Sequence, residues 1–141
     1  MNMVALPTPA ELNARKPGTL LGMMGMETIE VERGRVVLRL TVRPDLLAPN
    51  GYLHGGTVVA LADSACGMAS FAHMPVGADG FTTVELKTNF LGTATEGELR
   101  CIATAQHLGK STQVWDADVI HADTDKTIAI FRCSQMILWP K

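Results

Sequence analysis

The chain has 141 residues, 47% of them hydrophobic and 18% charged, with a formal net charge of −2 at neutral pH. That length and apolar content suit one compact domain over residues 1–141, and the near-neutral charge gives no electrostatic reason to expect nucleic acid or an anionic membrane as a partner. The sequence has neither an apolar run of about 18 residues nor a charged leader ahead of an apolar core, so no membrane span and a cytoplasmic location are expected.

Residues Met1 to Pro17 hold Pro7, Pro9 and Pro17 and little sustained pattern. They read as a short helix or coil laid on the domain, starting at Thr8-Pro9-Ala10-Glu11, with no chemistry of their own. From Met26 to Val42 the pattern turns to strands: Val36, Leu38, Leu40 and Val42 alternate with Val37, Arg39, Thr41 and Arg43, and Arg33-Gly34-Arg35 suits a hairpin turn. Pro44, Pro49, Asn50-Gly51 and Gly55-Gly56 then mark a structured loop.

Thr57 to Met74 reads as one long helix, rich in Ala and Leu, with no proline before Pro75. Its apolar residues run around most of the circumference, so it is expected to be buried. After a turn at Gly77 to Gly80 come four strand-like runs, about Thr82 to Phe90, Glu98 to His107, Gln113 to Ala122 and Thr127 to Trp139. Two strands, one buried helix and four strands make an α+β unit, an antiparallel sheet curled around a long central helix.

Asp63 stands mid-helix among Val58, Val59, Leu61, Ala62, Ala65 and Cys66, where an ionised carboxylate is costly unless something engages it. At helical spacing Gly56, Val59, Ala60, Gly67 and Ser70 share its face, which would let a substrate or a second chain approach closely. Asp63 either does chemistry or bonds a backbone or basic group across an interface. His54-Gly55-Gly56 immediately precedes the helix, so its free N–H groups and the positive dipole end can face a developing negative oxygen. Two glycines there also suit a plain turn.

Other polar residues carry two readings each. Lys110-Ser111-Thr112 sits in a turn, where it could meet phosphates or simply be solvated. Asp116 and Asp118 share one side of a strand, which suits a solvated or interface face better than paired acid–base carboxylates. Met23, Met24, Met26 and Met68 to Met74 supply adaptable apolar surface for a core or a pocket. Cys66, Cys101 and Cys133 are odd in number and lack Cys-x-x-Cys spacing, which predicts free core thiols. His54, His73, His107 and His121 lie in different elements, so no metal is expected. No Gly-x-Ser-x-Gly elbow or nucleotide-type phosphate loop is present.

The segment Asn50-Gly51-Tyr52-Leu53-His54-Gly55-Gly56-Thr57-Val58-Val59-Ala60-Leu61-Ala62-Asp63 resembles the signature of the PaaI-like acyl-CoA thioesterases. The element order over about residues 20–138 resembles their hotdog fold. The resemblance implies hydrolysis of a small or aromatic acyl-CoA, with Asp63 as nucleophile or general base and the Gly55 N–H polarising the thioester carbonyl. It also implies that Thr83 positions a water, although Thr83 is equally one strand-forming threonine among several. His54, with no second His at metal-ligand spacing, is expected to hold the loop by hydrogen bonds rather than to act as general base or metal ligand.

Members often carry Asn or Gln six residues before the His. Ala48 stands there in this chain, so Asn50 either substitutes or only forms the Asn-Gly turn. Gly56, Lys110, Ser111 and Thr112 are the expected substrate or coenzyme A contacts. Coenzyme A is part of the substrate, and no other cofactor is implied. A homodimer is expected, with each site drawing Gly55 and Asp63 from different subunits, and a dimer of dimers beyond it. The rival readings are a non-catalytic acyl-CoA or acyl-carrier binding protein, and a hydratase on the same fold.

Overall fold

The computed structural model describes residues 2–141. In chain order the elements are α1 (Pro9–Asn13), α2 (Leu20–Met24), β1 (Glu27–Glu32), β2 (Arg35–Thr41), a 3-10 turn (Pro44–Leu46), α3 (Gly55–Ala72), β3 (Gly80–Phe90), β4 (Glu98–Leu108), β5 (Thr112–His121) and β6 (Lys126–Leu138). All strand pairs are antiparallel, and the single sheet runs β1-β2-β4-β5-β6-β3. This is the hotdog arrangement that the element order predicts.

The sheet wraps α3 because each strand offers one apolar face to it. Leu38 and Leu40 on β2, Cys101 on β4, Trp115 and Val119 on β5, and Phe131 and Cys133 on β6 are all buried with Leu61, Ala65 and Cys66 of α3 in one core. Leu61 is wholly buried, so truncating it to Ala is expected to cost about 2–5 kcal/mol. All three cysteines are free and buried. Among the described residues no helix is long and apolar enough to cross a membrane.

α3 is less enclosed than its composition predicts. Its sheet side is sealed, but Val59, Ala60, Asp63, Ser64 and Gly67 are only half-buried. Ser70, expected on that same face, is fully buried and donates to the Cys66 carbonyl at 2.8 Å, so the open strip stops before it. Beside this strip lies β3, the edge of the sheet, where Val84, Leu86 and Phe90 are 55%, 42% and 55% exposed. Leu86 and Phe90 pair with Cys133 and Ala129, so they point to the helix side of the sheet.

The last turn of α3 is tied to the sheet through polar groups. The Gly34 N–H donates to His73 Nε2 at 2.7 Å, while His73 Nδ1 lies 2.7 Å from the Ala69 carbonyl. A carbonyl only accepts, so Nδ1 carries the proton and the ring is neutral. Gln113 Nε2 donates to the His73 carbonyl and Trp115 Nε1 to Gln113 Oε1. Burial holds the His73 pKa below its ordinary value, partly opposed by the bond to Ala69.

The N-terminal segment, expected to be passive, is pinned by a buried cation. α1 begins with the Thr8–Glu11 capping box. Asn13 then exchanges two hydrogen bonds with the backbone of Thr28, at 3.0 and 2.8 Å. Lys16 is only 4% exposed, and its Nζ donates to Asn13 Oδ1, the Met26 carbonyl and Thr28 Oγ1. Burial pushes this amine down to about 8, against an opposing pull from Glu27.

Candidate active site

The loop before α3 is held from both ends. The Asn50-Gly51 turn, with Gly51 at φ +87°, closes a small hairpin in which the Ala48 N–H donates to the Tyr52 carbonyl. Asn50 Oδ1 accepts the Tyr52 N–H at 3.1 Å, so the side chain serves the turn itself. The His54 N–H and the Thr57 hydroxyl both reach the Leu46 carbonyl, which fixes the helix start against the 3-10 turn.

His54 is the N-cap of α3. Its Nδ1 accepts the Gly56 N–H at 2.7 Å, and its carbonyl takes the N–H groups of Thr57 and Val58. The Gly55 N–H has no acceptor among the described residues, which leaves it as the outward donor at the positive end of the helix dipole. A side chain at Gly56 would force a shift against His54, and one at Gly55 would press on the exposed Phe90 ring. A Cβ at Gly56 would lie 2.9 Å from His54 Nδ1, and one at Gly55 would lie 3.2 Å from the Phe90 ring.

Asp63 lies two turns further along α3. Its Oδ1 is buried without a hydrogen-bond partner among the described residues, and burial alone raises its pKa. A buried polar atom left unpaired costs about 1–3 kcal/mol, so the fold carries a penalty here that it does not need for stability. The alternative role, a bond to a backbone or basic group, is not fulfilled for this atom among the described residues. Asp63 opens into a groove of about 300 Å³ that also takes in Arg15, Met68, Phe71, Phe81 and Thr83.

The Thr83 hydroxyl donates to Gln135 Oε1 at 2.6 Å. With its proton so engaged, its oxygen is left to accept from a group in the groove. Gln135 is fully buried and is not among the site residues that the sequence predicts. It continues the inward series Ala129, Phe131, Cys133, Gln135, Ile137 on β6, and a polar residue in that apolar register is the signal that could have found it. Arg15, Phe71 and Phe81 left no such signal.

Within one chain the expected residues fall into two groups. Asp63 and Thr83 line one groove, whereas Gly55 lies against Phe90 and His54 and Gly56 bond to each other at the helix start. Eight residues at 1.5 Å rise separate Gly55 from Asp63 by about 12 Å, so the fold does not bring them to one carbonyl. Lys110 and Ser111, in the β4–β5 turn, and Thr112, the first residue of β5, are exposed. Lys110 Nζ lies 5.9 Å from the centre of the Trp139 ring, and Trp139 Nε1 donates to the Lys110 carbonyl. The Ile137 N–H donates to the Ser111 carbonyl, and Ile137 pairs with Phe81, so this turn sits at the Asp63 end of the sheet.

Asp116 is bound through both oxygens by Arg132 at 2.5 and 2.9 Å, on the sheet face away from α3, as a solvated or interface face requires. Among the described residues no cluster of three His, Cys, Asp or Glu could hold a metal. Met24 and Met26 pack in the core. Met23 borders a different groove, while Met68 lines that of Asp63.

Residues 50–128, which span the His54 turn, Asp63 and Thr83, match the model of the thioesterase superfamily. The chain belongs to that superfamily. It is 35% identical over 111 residues to the 1,4-dihydroxy-2-naphthoyl-CoA hydrolase of Listeria monocytogenes, covering 79% of this chain and 89% of that one. It is 29% identical over 110 residues to the acyl-coenzyme A thioesterase PaaI of Escherichia coli, covering 77% and 75%. The crystal structure of a mutant of the thioesterase PA1618 from Pseudomonas aeruginosa superposes with a TM-score of 0.88 at 28% identity, covering 94% of each chain. Family and fold together make this thioesterase a thioester hydrolase.

Proposed function

We propose that this thioesterase hydrolyses acyl-CoA thioesters with a small or aromatic acyl group, at sites shared between two copies of the chain. The observation that carries this reading is the buried, unpartnered Oδ1 of Asp63 in a groove beside Thr83. The names of the Listeria and E. coli relatives, an aromatic acyl-CoA hydrolase and an acyl-CoA thioesterase, support the substrate class.

In this mechanism the thioester carbonyl accepts the Gly55 N–H, whose helix-start position stabilises the oxyanion as it forms. A water donates one proton to Thr83 Oγ1, which is free to accept, and faces Asp63 with the other. Asp63 takes that proton as the water oxygen attacks the carbonyl carbon. Collapse of the tetrahedral intermediate breaks the C–S bond, and the coenzyme A thiolate recovers the proton from Asp63. The products are a free acid and coenzyme A. The Thr83–Gln135 bond favours this general-base route over direct attack by Asp63, and no cofactor besides coenzyme A is called for.

The course of β3 supports a shared site. Phe81 and Thr83, near one end of this strand, border the Asp63 groove, and Phe90, at the other end, lies against Gly55. An antiparallel partner strand added at this unpaired edge, about a two-fold axis near Glu85, carries the partner Phe90 end to the Phe81 end. The partner Gly55 then approaches Asp63. The same pairing covers Val84 and Leu86, and the small residues of the α3 strip admit a second helix. Two such dimers would meet on the outer face of β6, where Ile130, Met136 and Leu138 are exposed. In that dimer the Lys110-Ser111-Thr112 turn, at the Asp63 end of the sheet, is positioned for coenzyme A phosphate.

Thiol release measured across short, long and aromatic acyl-CoAs tests the proposal. Stoichiometric free thiol with a small or aromatic preference is the expected result. Binding without turnover would return the chain to the non-catalytic reading, and water addition to an enoyl-CoA would make it a hydratase.

A further inference from the structure

Arg15 is held in place by its neighbours in sequence. Asn13 and Lys16 on either side are hydrogen-bonded to Thr28 and Met26, so the intervening backbone cannot swing. The guanidinium carbon lies 4.1 Å from the centre of the Phe71 ring on α3, a cation–π contact that also orients the fork. Arg35, Arg39, Arg43, Arg100 and Arg132 each pair with a carboxylate, whereas Arg15 has no carboxylate at ion-pair distance among the described residues. Its donors remain available.

Their position relative to Asp63 gives them a target. The Asp63 groove of about 300 Å³ adjoins a second of about 730 Å³, and the residues common to both are Arg15, Phe71 and Phe81. An acyl group that reacts at Asp63 and extends into the second groove passes Phe71, Phe81 and the Arg15 guanidinium. The second groove is also lined by Glu11 and Asp79, which disfavour an anion that leaves the guanidinium. The aromatic walls suit a flat ring, and the planar fork of Arg suits a carboxylate or hydroxyl on it.

Building on the acyl-CoA hydrolase reading, we infer that Arg15 is a specificity-determining residue that receives a ring carboxylate or ring hydroxyl of an aromatic acyl group. Substituted aroyl thioesters are then preferred over the plain ring. The phosphates of coenzyme A offer the same anionic oxygens, so the test must separate the two sources.

The test compares kcat/KM for benzoyl, hydroxybenzoyl and carboxybenzoyl thioesters of both coenzyme A and phosphate-free pantetheine, in the wild type, Arg15→Met and Arg15→Lys. Met keeps an apolar stem on Phe71, and an unchanged melting temperature verifies its fold. A bond to a charged donor is expected to give the wild type a preference of about tenfold or more for a substituted ring. Arg15→Met should lose that preference through the substituted substrates alone, Arg15→Lys should recover part of it, and pantetheine thioesters should behave alike. No wild-type preference, an equal loss on plain and substituted rings, or an effect seen only with coenzyme A thioesters would overturn the assignment. Hydrolysis of short acyl-CoAs but of none of these aroyl thioesters would overturn this inference alone, whereas failure on every acyl-CoA would overturn the hydrolase reading and this inference with it.

Discussion

His54 Nδ1 accepts the Gly56 amide proton at 2.7 Å, and this bond decides which helix-start amide remains for a substrate. With Gly56 engaged, the Gly55 N–H is the outward donor. His54→Ala should release Gly56, loosen the start of α3 by about 0.5–2 kcal/mol and lower turnover about tenfold. His54→Asn, whose side chain is a strong N-cap acceptor, should recover much of both. Gly56→Ala should resemble His54→Ala, because its Cβ would lie 2.9 Å from the imidazole nitrogen. Melting curves and steady-state kinetics on the four proteins check the series, and an Asn variant no better than Ala would remove the cap from the account.

The shared-site arrangement predicts complementation. An inactive Asp63→Ala protein mixed with an inactive variant of the Gly55 turn should regenerate one working site per heterodimer. The two groups are about 12 Å apart along one helix, so a single chain has no other way to unite them. Absence of recovered activity, with subunit exchange verified independently, would place both groups in one chain.

Burial holds the His73 pKa below its ordinary value of 6.5, so between the two values the unfolded chain binds more protons than the folded one. The contribution of His73 to stability is therefore fully present above pH 6.5 and lost as pH falls through the folded value. The melting temperature should drop between pH 7.5 and 5.5. His73→Asn should be less stable throughout but flatter over that range, and an unchanged slope would show that another group titrates there.

Much of this fold was legible because its elements carry strong periodicity or punctuation. The β1–β2 hairpin turns at the predicted Gly34, and α3 spans 55–72 against an expected 57–74, since His54 rather than Gly56 caps it. The Asp63 face was legible from helical spacing, but its closure at Ser70 was not, because curvature and tertiary cover are absent from a helical wheel. Arg15 and Lys16 were unreadable for a related reason. Both sit in a proline-broken, polar stretch without period, and only long-range bonds to Met26 and Thr28 bury one and aim the other. Gln135 stood in plain alternation on β6, yet a single polar residue there does not reveal that Thr83 lies opposite it.

The most direct measurement is on Asp63→Asn, read for turnover and stability together. Burial raises the Asp63 pKa above its ordinary 3.8, so the folded state binds more protons than the unfolded one between those values. Its stabilising contribution is present below 3.8 and lost as pH rises through the folded value. At neutral pH Asp63→Asn should therefore melt no lower than the wild type, while turnover of its best acyl-CoA falls about a hundredfold or more. The acid limb of the wild-type kcat/KM profile, raised from the ordinary Asp value by burial, should vanish in the variant. Near-normal turnover by a correctly folded Asp63→Asn protein would contradict the account.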